Sequence, residues 1–167
     1  MIKTVQRLDE VMSFVQELSG NDLYASYPRI NSTKKLKEEL QKAIDFENQN
    51  IIAYYHKNVL CGVCFYFWIS DEKYVQTLGF LINRDYDKIA DEFISYISKQ
   101  LPHYELFIGV PFTNKNANEY FIKRNIECIE DSIVTRIRNL RPYTNQRYDC
   151  LEEINKSNFS DYAVFHD

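Results

Sequence analysis

The stretch IGVPFTNKNANEYFIKRNI, residues 108–126, passes from a strand through a polar turn into a helix. Ile108 and Val110 continue an alternation that starts at Leu106, so Tyr104–Val110 reads as a strand with these three side chains on one face. A short helix is predicted over Ala117–Arg124. Asn125 follows it, and asparagine tolerates the left-handed conformation of a helix stop.

Working outward from this stretch gives the order of the elements. Upstream, Pro102 ends a helix that starts after the polar segment Asn83–Lys88 and runs to about Gln100. Its inner side carries Ile89, Phe93, Ile94 and Ile97. Tyr74–Ile82 precedes it as a strand, and two strands joined through a helix should pair in parallel. Before that lies a hairpin, with strand Ile51–Tyr55, turn His56-Lys57-Asn58 and return strand Val59–Ile69. The return strand is almost wholly apolar, as expected when both faces of a sheet are covered.

At the N-terminus, Ile2–Val5 is a short strand. Asp9 is the expected cap of a helix carrying Val11, Phe14, Val15 and Leu18, with Gly20 as its stop. Pro28–Ser32 marks a loop. Ser32 or Thr33 then caps a second helix with Leu36, Leu40, Ala43 and Ile44 on its apolar face. Cys128–Arg138 reads as a last strand or a bent pair. The order is β-α-α-β-β-β-α-β-α-β, an α/β (α+β mixed) fold with a central mixed sheet flanked by helices.

Composition narrows the function classes. The 167 residues are 45% hydrophobic and 26% charged, so a packed core is expected. A formal net charge of −4 gives no overall field toward nucleic acid or an anionic membrane. Lys34, Lys35 and Lys37 are followed at once by Glu38 and Glu39, the pattern of a solvated helix face. Met1–Gly20 lacks a signal-peptide pattern, and the longest apolar run, Val59–Ile69, is too short to span a bilayer as a helix. A cytoplasmic location is expected. Cys61 and Cys64 have C-x-x-C spacing, but residues three apart on a strand point to opposite faces, and no second pair completes a zinc set. They are read as buried thiols, with no metal site.

The chain resembles the GNAT (GCN5-related N-acetyltransferase) family in three places. The hairpin IIAYYHKNVLCGV is similar to the family's central antiparallel pair, with Gly62 as the glycine just past the turn. In residues 108–126, Val110, Asn114 and Ala117 match the family's spacing, and Lys123 falls where the family often has lysine. The third place is the junction of the Tyr74–Ile82 strand with the long helix, where the family carries [Q/R]-x-x-G-x-[G/A]. A gapless alignment sets Asp85 at the Gln/Arg position, Lys88 at the glycine and Ala90 at the final Gly/Ala, so only Ala90 matches.

The resemblance implies a GNAT-like fold, acetyl-CoA as co-substrate and an amine acceptor, either a small molecule or a protein. It implies cofactor contacts from Phe80, Leu81, Ile82, Lys88, Ile89, Ala90 and Asn114, with the strand residues contributing backbone groups. It implies a tyrosine acid in the short helix. Phe121 occupies that slot in register, and Tyr120 is the neighbour that could serve as the catalytic acid after a one-residue slip. Asp85 and Asp87 would oppose a pyrophosphate, while Arg84 and Lys88 could contact it through their side chains. Two readings stand: an acetyl-CoA-dependent N-acetyltransferase, or a catalytically inactive GNAT-like binding or dimerisation module.

Arg141-Pro142 is the expected end of a domain spanning residues 1–140. Residues 141–167 then form a C-terminal extension, with a strand at Tyr148–Ile154 and a helix start at Asn158 or Ser160. That pattern is similar to the beginning of a second GNAT-like module.

Overall fold

Lys57 and Asn58 adopt φ of 47° and 65° at the tip of the central hairpin. Positive φ at both residues of a two-residue loop gives the turn whose twist matches paired strands. It joins β2 (Gln49–His56) to β3 (Val59–Ile69), and the pair closes at His56↔Val59. The computed structural model describes residues 1–26 and 32–130. Within it, Met1–Cys128 is one compact unit.

Among the described residues five strands lie in the order β1-β2-β3-β4-β5. From β1 (Ile2–Thr4) through β2 and β3 to β4 (Tyr74–Ile82) each neighbouring pair is antiparallel, whereas β4 and β5 (Glu105–Phe107) are parallel. The sheet is therefore mixed, and the crossover between β4 and β5 is α3 (Tyr86–Gln100), as the sequence predicts.

Two apolar layers cover the sheet. On one face, Val15 and Leu18 of α1 (Met12–Gly20) and Leu36, Leu40 and Ala43 of α2 (Thr33–Asp45) pack on Ile51, Ala53, Val63, Phe65 and Leu81. On the other, Ile89, Ala90, Phe93 and Ile97 of α3 pack on Ile52, Cys64, Tyr66, Phe80 and Ile82, joined by Ala117 and Tyr120 of α4 (Lys115–Lys123). Each large apolar side chain buried in this way contributes about 2 kcal/mol. Helix α3 sits close because Gly62 on β3 has no side chain. A Cβ there would lie 2.9 Å from Ile89 Cγ2 and 3.1 Å from Phe93 Cε2.

Two β-bulges interrupt the ladders. Cys61 is the extra residue between Tyr55↔Leu60 and Tyr54↔Gly62. Leu78 is the extra residue between Tyr66↔Thr77 and Phe65↔Gly79. Each extra residue reverses the face on which the following side chains fall. After Leu78, Phe80 and Ile82 therefore join the face of Val75, and Leu81 takes the opposite one. The first bulge corrects the expectation for the cysteines. Cys61 and Cys64 lie on the same core face, both free and fully buried.

Other expectations also change. Asp9 does not cap α1. Leu8–Glu10 forms a 3-10 turn, the residue preceding α1 is Val11, and Asp9 instead pairs with Arg7. Ser32 does cap α2, its hydroxyl accepting from Lys35 N. β5 ends at Phe107 rather than Val110, and α4 starts at Lys115 rather than Ala117. Among the described residues no helix is long and apolar enough to cross a membrane. The loop over 28–31, most of the strand Cys128–Arg138, the boundary at Arg141-Pro142 and the tail lie outside the described residues.

Candidate functional site

The site grows out of the way β4 leaves β5. Their ladder covers Tyr74↔Glu105, Val75↔Leu106 and Gln76↔Phe107. One further link follows, the Thr77 hydroxyl donating to Phe107 O at 3.4 Å. β4 continues to Ile82, and the bulge at Leu78 sits where the ladder with β5 stops. The Phe80 N–H then finds its partner outside the sheet, donating to Ser26 Oγ at 2.8 Å in a buried bond. A backbone donor aimed away from its own ladder is the kind of group that can bind a carbonyl oxygen.

The segment after α1 spans this place. Asn21 organises it by accepting from Leu23 N on its side chain and from Tyr24 N and Ala25 N on its carbonyl. Asn114, 1% exposed, precedes α4 and uses both ends of its amide. Its Oδ1 accepts from Ala117 N, capping the helix, and its Nδ2 donates to Ala25 O at 3.0 Å. The Thr113 hydroxyl donates to Asp22 O at 2.9 Å. Asp22–Ser26 is thus tied to β4 at one end and to the start of α4 at the other.

Helix α3 begins at Tyr86 behind Asp85, whose φ of 48° and ψ of 46° are left-handed. A left-handed non-glycine residue costs about 1–2 kcal/mol. The Asp85 side chain makes no cap bond. The first backbone bond of the helix is Ile89 N to Asp85 O, so the N–H groups of Tyr86, Asp87 and Lys88 lie in the first turn, ahead of any intrahelical acceptor. These donors and the exposed Arg84 and Lys88 suit a phosphate. Asp87, also exposed, opposes it and pairs with Lys123 of α4 at 3.7 Å. An open depression of about 580 Å³ beside the helix is lined by Asp87, Lys88, Asp91, Glu92, Ser95 and Arg124.

Tyr120 is buried on α4, its ring tilted against Tyr86 and edge-on to Phe121. Its hydroxyl donates to Asp91 Oδ1 at 2.8 Å, and Arg124 engages the other oxygen of Asp91. Burial, helped by the bond to Asp91, pushes the Tyr120 phenol up to about 12. The hydroxyl therefore holds its proton through neutral pH and gives its hydrogen bond to a carboxylate. Tyr86 is buried too, its hydroxyl without a partner among the described residues, and burial raises its phenol.

Of the residues singled out from sequence, Phe80, Ile82, Ile89, Ala90 and Tyr120 share one core layer. Leu81 faces the opposite layer, Lys88 faces solvent, and Asn114 lies at the junction with the α1 loop. Sequence reading missed Ser26 and Asp91. Ser26 is a short polar residue in a loop, and only its bond to Phe80 N marks it. Asp91 lies on the helix face that reads as solvated. Among the described residues no cluster of three or more His, Cys, Asp or Glu could hold a metal ion.

No family model matches the sequence, and no curated relative does. Solved structures do resemble the fold. A probable acetyltransferase is 11% identical, with 87% of this chain and 98% of that chain covered and a TM-score of 0.57. AAC(6')-Iy, in complex with the bisubstrate analogue CoA-S-monomethyl-acetylneamine, is 10% identical over 83% of this chain and 97% of that one, with a TM-score of 0.54. An aminoglycoside acetyltransferase from an uncultured soil metagenomic sample, in complex with sisomicin, is 14% identical over 84% and 96%, with a TM-score of 0.51. At these identities the likeness is one of fold: an α/β mixed sheet of the GNAT acetyltransferase type.

Proposed function

We propose that this domain binds acetyl-CoA and transfers its acetyl group to an amine, carried by a small molecule or a protein. One observation carries the reading: β5 stops pairing at Gln76↔Phe107 while β4 runs on to Ile82, and the Phe80 N–H donates to a group outside the sheet. In acetyl transfer an amine nitrogen attacks the thioester carbon and gives up a proton, the carbonyl oxygen becomes an oxyanion, and as the carbonyl re-forms the C–S bond breaks to give a thiolate that takes up a proton. A rigid backbone donor stabilises that oxyanion without reorganising.

The remaining residues have matching roles in this proposal. The backbone of Phe80–Ile82 lines the pantetheine arm on the side that β5 leaves open, and Ile89 and Ala90 shape the layer beneath it. The first turn of α3, with Lys88, receives the pyrophosphate in place of a glycine loop. Tyr120 supplies the proton to the thiolate once its hydroxyl turns from Asp91. Asn114 holds the α4 end of the cleft.

A second reading, a GNAT-like module without catalysis, is favoured by a specific contact. Ser26 Oγ already occupies the Phe80 N–H, and Ala25 O already occupies Asn114. Calorimetric titration of acetyl-CoA into the protein separates the two. The transferase reading expects saturable binding that weakens in Lys88→Glu, followed by amine-dependent thiol release with an acceptor panel. Absence of heat at millimolar acetyl-CoA would overturn it in favour of the second reading.

A further inference from the structure

We infer that Asp22–Ser26 is a built-in competitor for the acyl site, a strap that must let go of Phe80 before a thioester carbonyl can reach that N–H. The inference rests on the acetyl-CoA reading of the cleft. Ser26 Oγ is 2.8 Å from Phe80 N and stands where a carbonyl oxygen would accept the same hydrogen bond. One N–H cannot serve both acceptors at full strength, so binding and release of Ser26 are linked.

The strap is built rather than draped. Ala25 is fully buried and Ser26 is 4% exposed, although both lie in a loop, and loops ordinarily run over the surface. Three bonds from two places hold the segment: Thr113 to Asp22 O, Asn114 to Ala25 O, and Phe80 N to Ser26 Oγ. The first two approach from the β5–α4 junction and the third from β4, the two walls of the cleft. The segment is also folded on itself through Asn21. Displacing Ser26 alone exposes its hydroxyl to water, where it recovers a hydrogen bond. The Ala25 tie can persist, so release can be local and reversible. Ligand affinity is then reduced by the fraction of molecules in the released state.

The test uses the full chain and acetyl-CoA. Ser26→Ala removes the competing acceptor, and Thr113→Val, at an exposed position, loosens the far end without touching Phe80. Calorimetry should show both variants binding acetyl-CoA tighter than the wild type, by about five- to tenfold for Ser26→Ala, the loss of one ordinary hydrogen bond. Hydrogen exchange on the wild type should show the Phe80 amide staying protected on adding acetyl-CoA, its acceptor exchanged rather than lost. If the wild type binds and neither variant binds tighter, the strap is wrong and the acetyl-CoA reading survives. If none of the three binds at millimolar ligand while all keep their thermal transitions, the acetyl-CoA reading falls and the strap with it. Thr113→Val carries the test should Ser26→Ala not fold.

Discussion

Replacing Gly79 with alanine should unseat the core at the point where β4 bulges. An ideal Cβ on Gly79 would lie 1.7 Å from Phe65 Cε1, 2.3 Å from Cζ and 2.5 Å from Cδ1. Carbon atoms in contact need about 3.5 Å, so the ring would have to retreat by roughly 2 Å. Phe65 is 2% exposed and packed under α1 and α2, which leaves it nowhere to go without moving its neighbours. Overpacking of this kind costs about 1–3 kcal/mol, and three overlapped ring atoms place this case near the upper end, about 3 kcal/mol. Urea denaturation followed by Trp68 fluorescence should show the midpoint falling by about 1.5 M for a slope near 2 kcal/mol/M, with the slope itself unchanged. Leucine lacks the Cε1 and Cζ atoms that overlap most. In a Phe65→Leu background the same Gly79→Ala change should therefore cost about half as much or less. A cost below about 1 kcal/mol in the wild type, or an unchanged cost in the Phe65→Leu background, would refute the packing argument.

Three further outcomes follow from the same coordinates. Gly62→Ala meets Ile89 and Phe93 at 2.9–3.2 Å, a shallower overlap with movable side chains, and should cost about 1–2 kcal/mol by the same denaturation assay. Tyr86→Phe removes a buried hydroxyl that has no partner, so thermal unfolding should show it neutral or more stable by about 1 kcal/mol; a loss of stability would mean that the hydroxyl is satisfied. Tyr66, Tyr86 and Tyr120 all have phenols raised above the ordinary value of 10.0, Tyr120 to about 12, burial being the first cause in each. A folded pKa above the unfolded one stabilises fully below pH 10 and is lost as pH climbs toward the folded value. Stability should therefore decline from pH 10 upward, and Tyr120→Phe should flatten the decline between pH 10 and 12.

What could be read from the sequence divides along physical lines. The β2–β3 hairpin was legible because a polar turn, read as His56-Lys57-Asn58 and found as Lys57-Asn58, separates two apolar runs, and α3 was legible because its inner residues recur at helical spacing before Pro102. β5 was overestimated because alternation at Leu106, Ile108 and Val110 records which face is apolar and not whether a neighbouring strand stays in pairing distance. The bulges left no trace in composition. One unpaired residue in a ladder changes register without changing residue type, so Cys61 and Cys64 seemed to face apart. The 3-10 turn at Leu8–Glu10 displaced the expected cap because Asp9 pairs with Arg7 two residues away. Ser26 was invisible for a different reason, since its partner is distant in sequence and is a backbone group that any residue would supply.

The bulge at Leu78 gives β4 something like a reading frame. Upstream of it, odd-numbered Val75 points toward α3; downstream, even-numbered Phe80 and Ile82 do. Deleting Leu78 alone would leave a regular ladder in which Thr77, Gly79 and Phe80 still oppose Tyr66, Phe65 and Cys64, so both core layers would keep their residues. A conservative substitution at Leu78 leaves the frame intact. The bulge thus takes up one residue of chain length while the strand on either side of it stays in phase with β3.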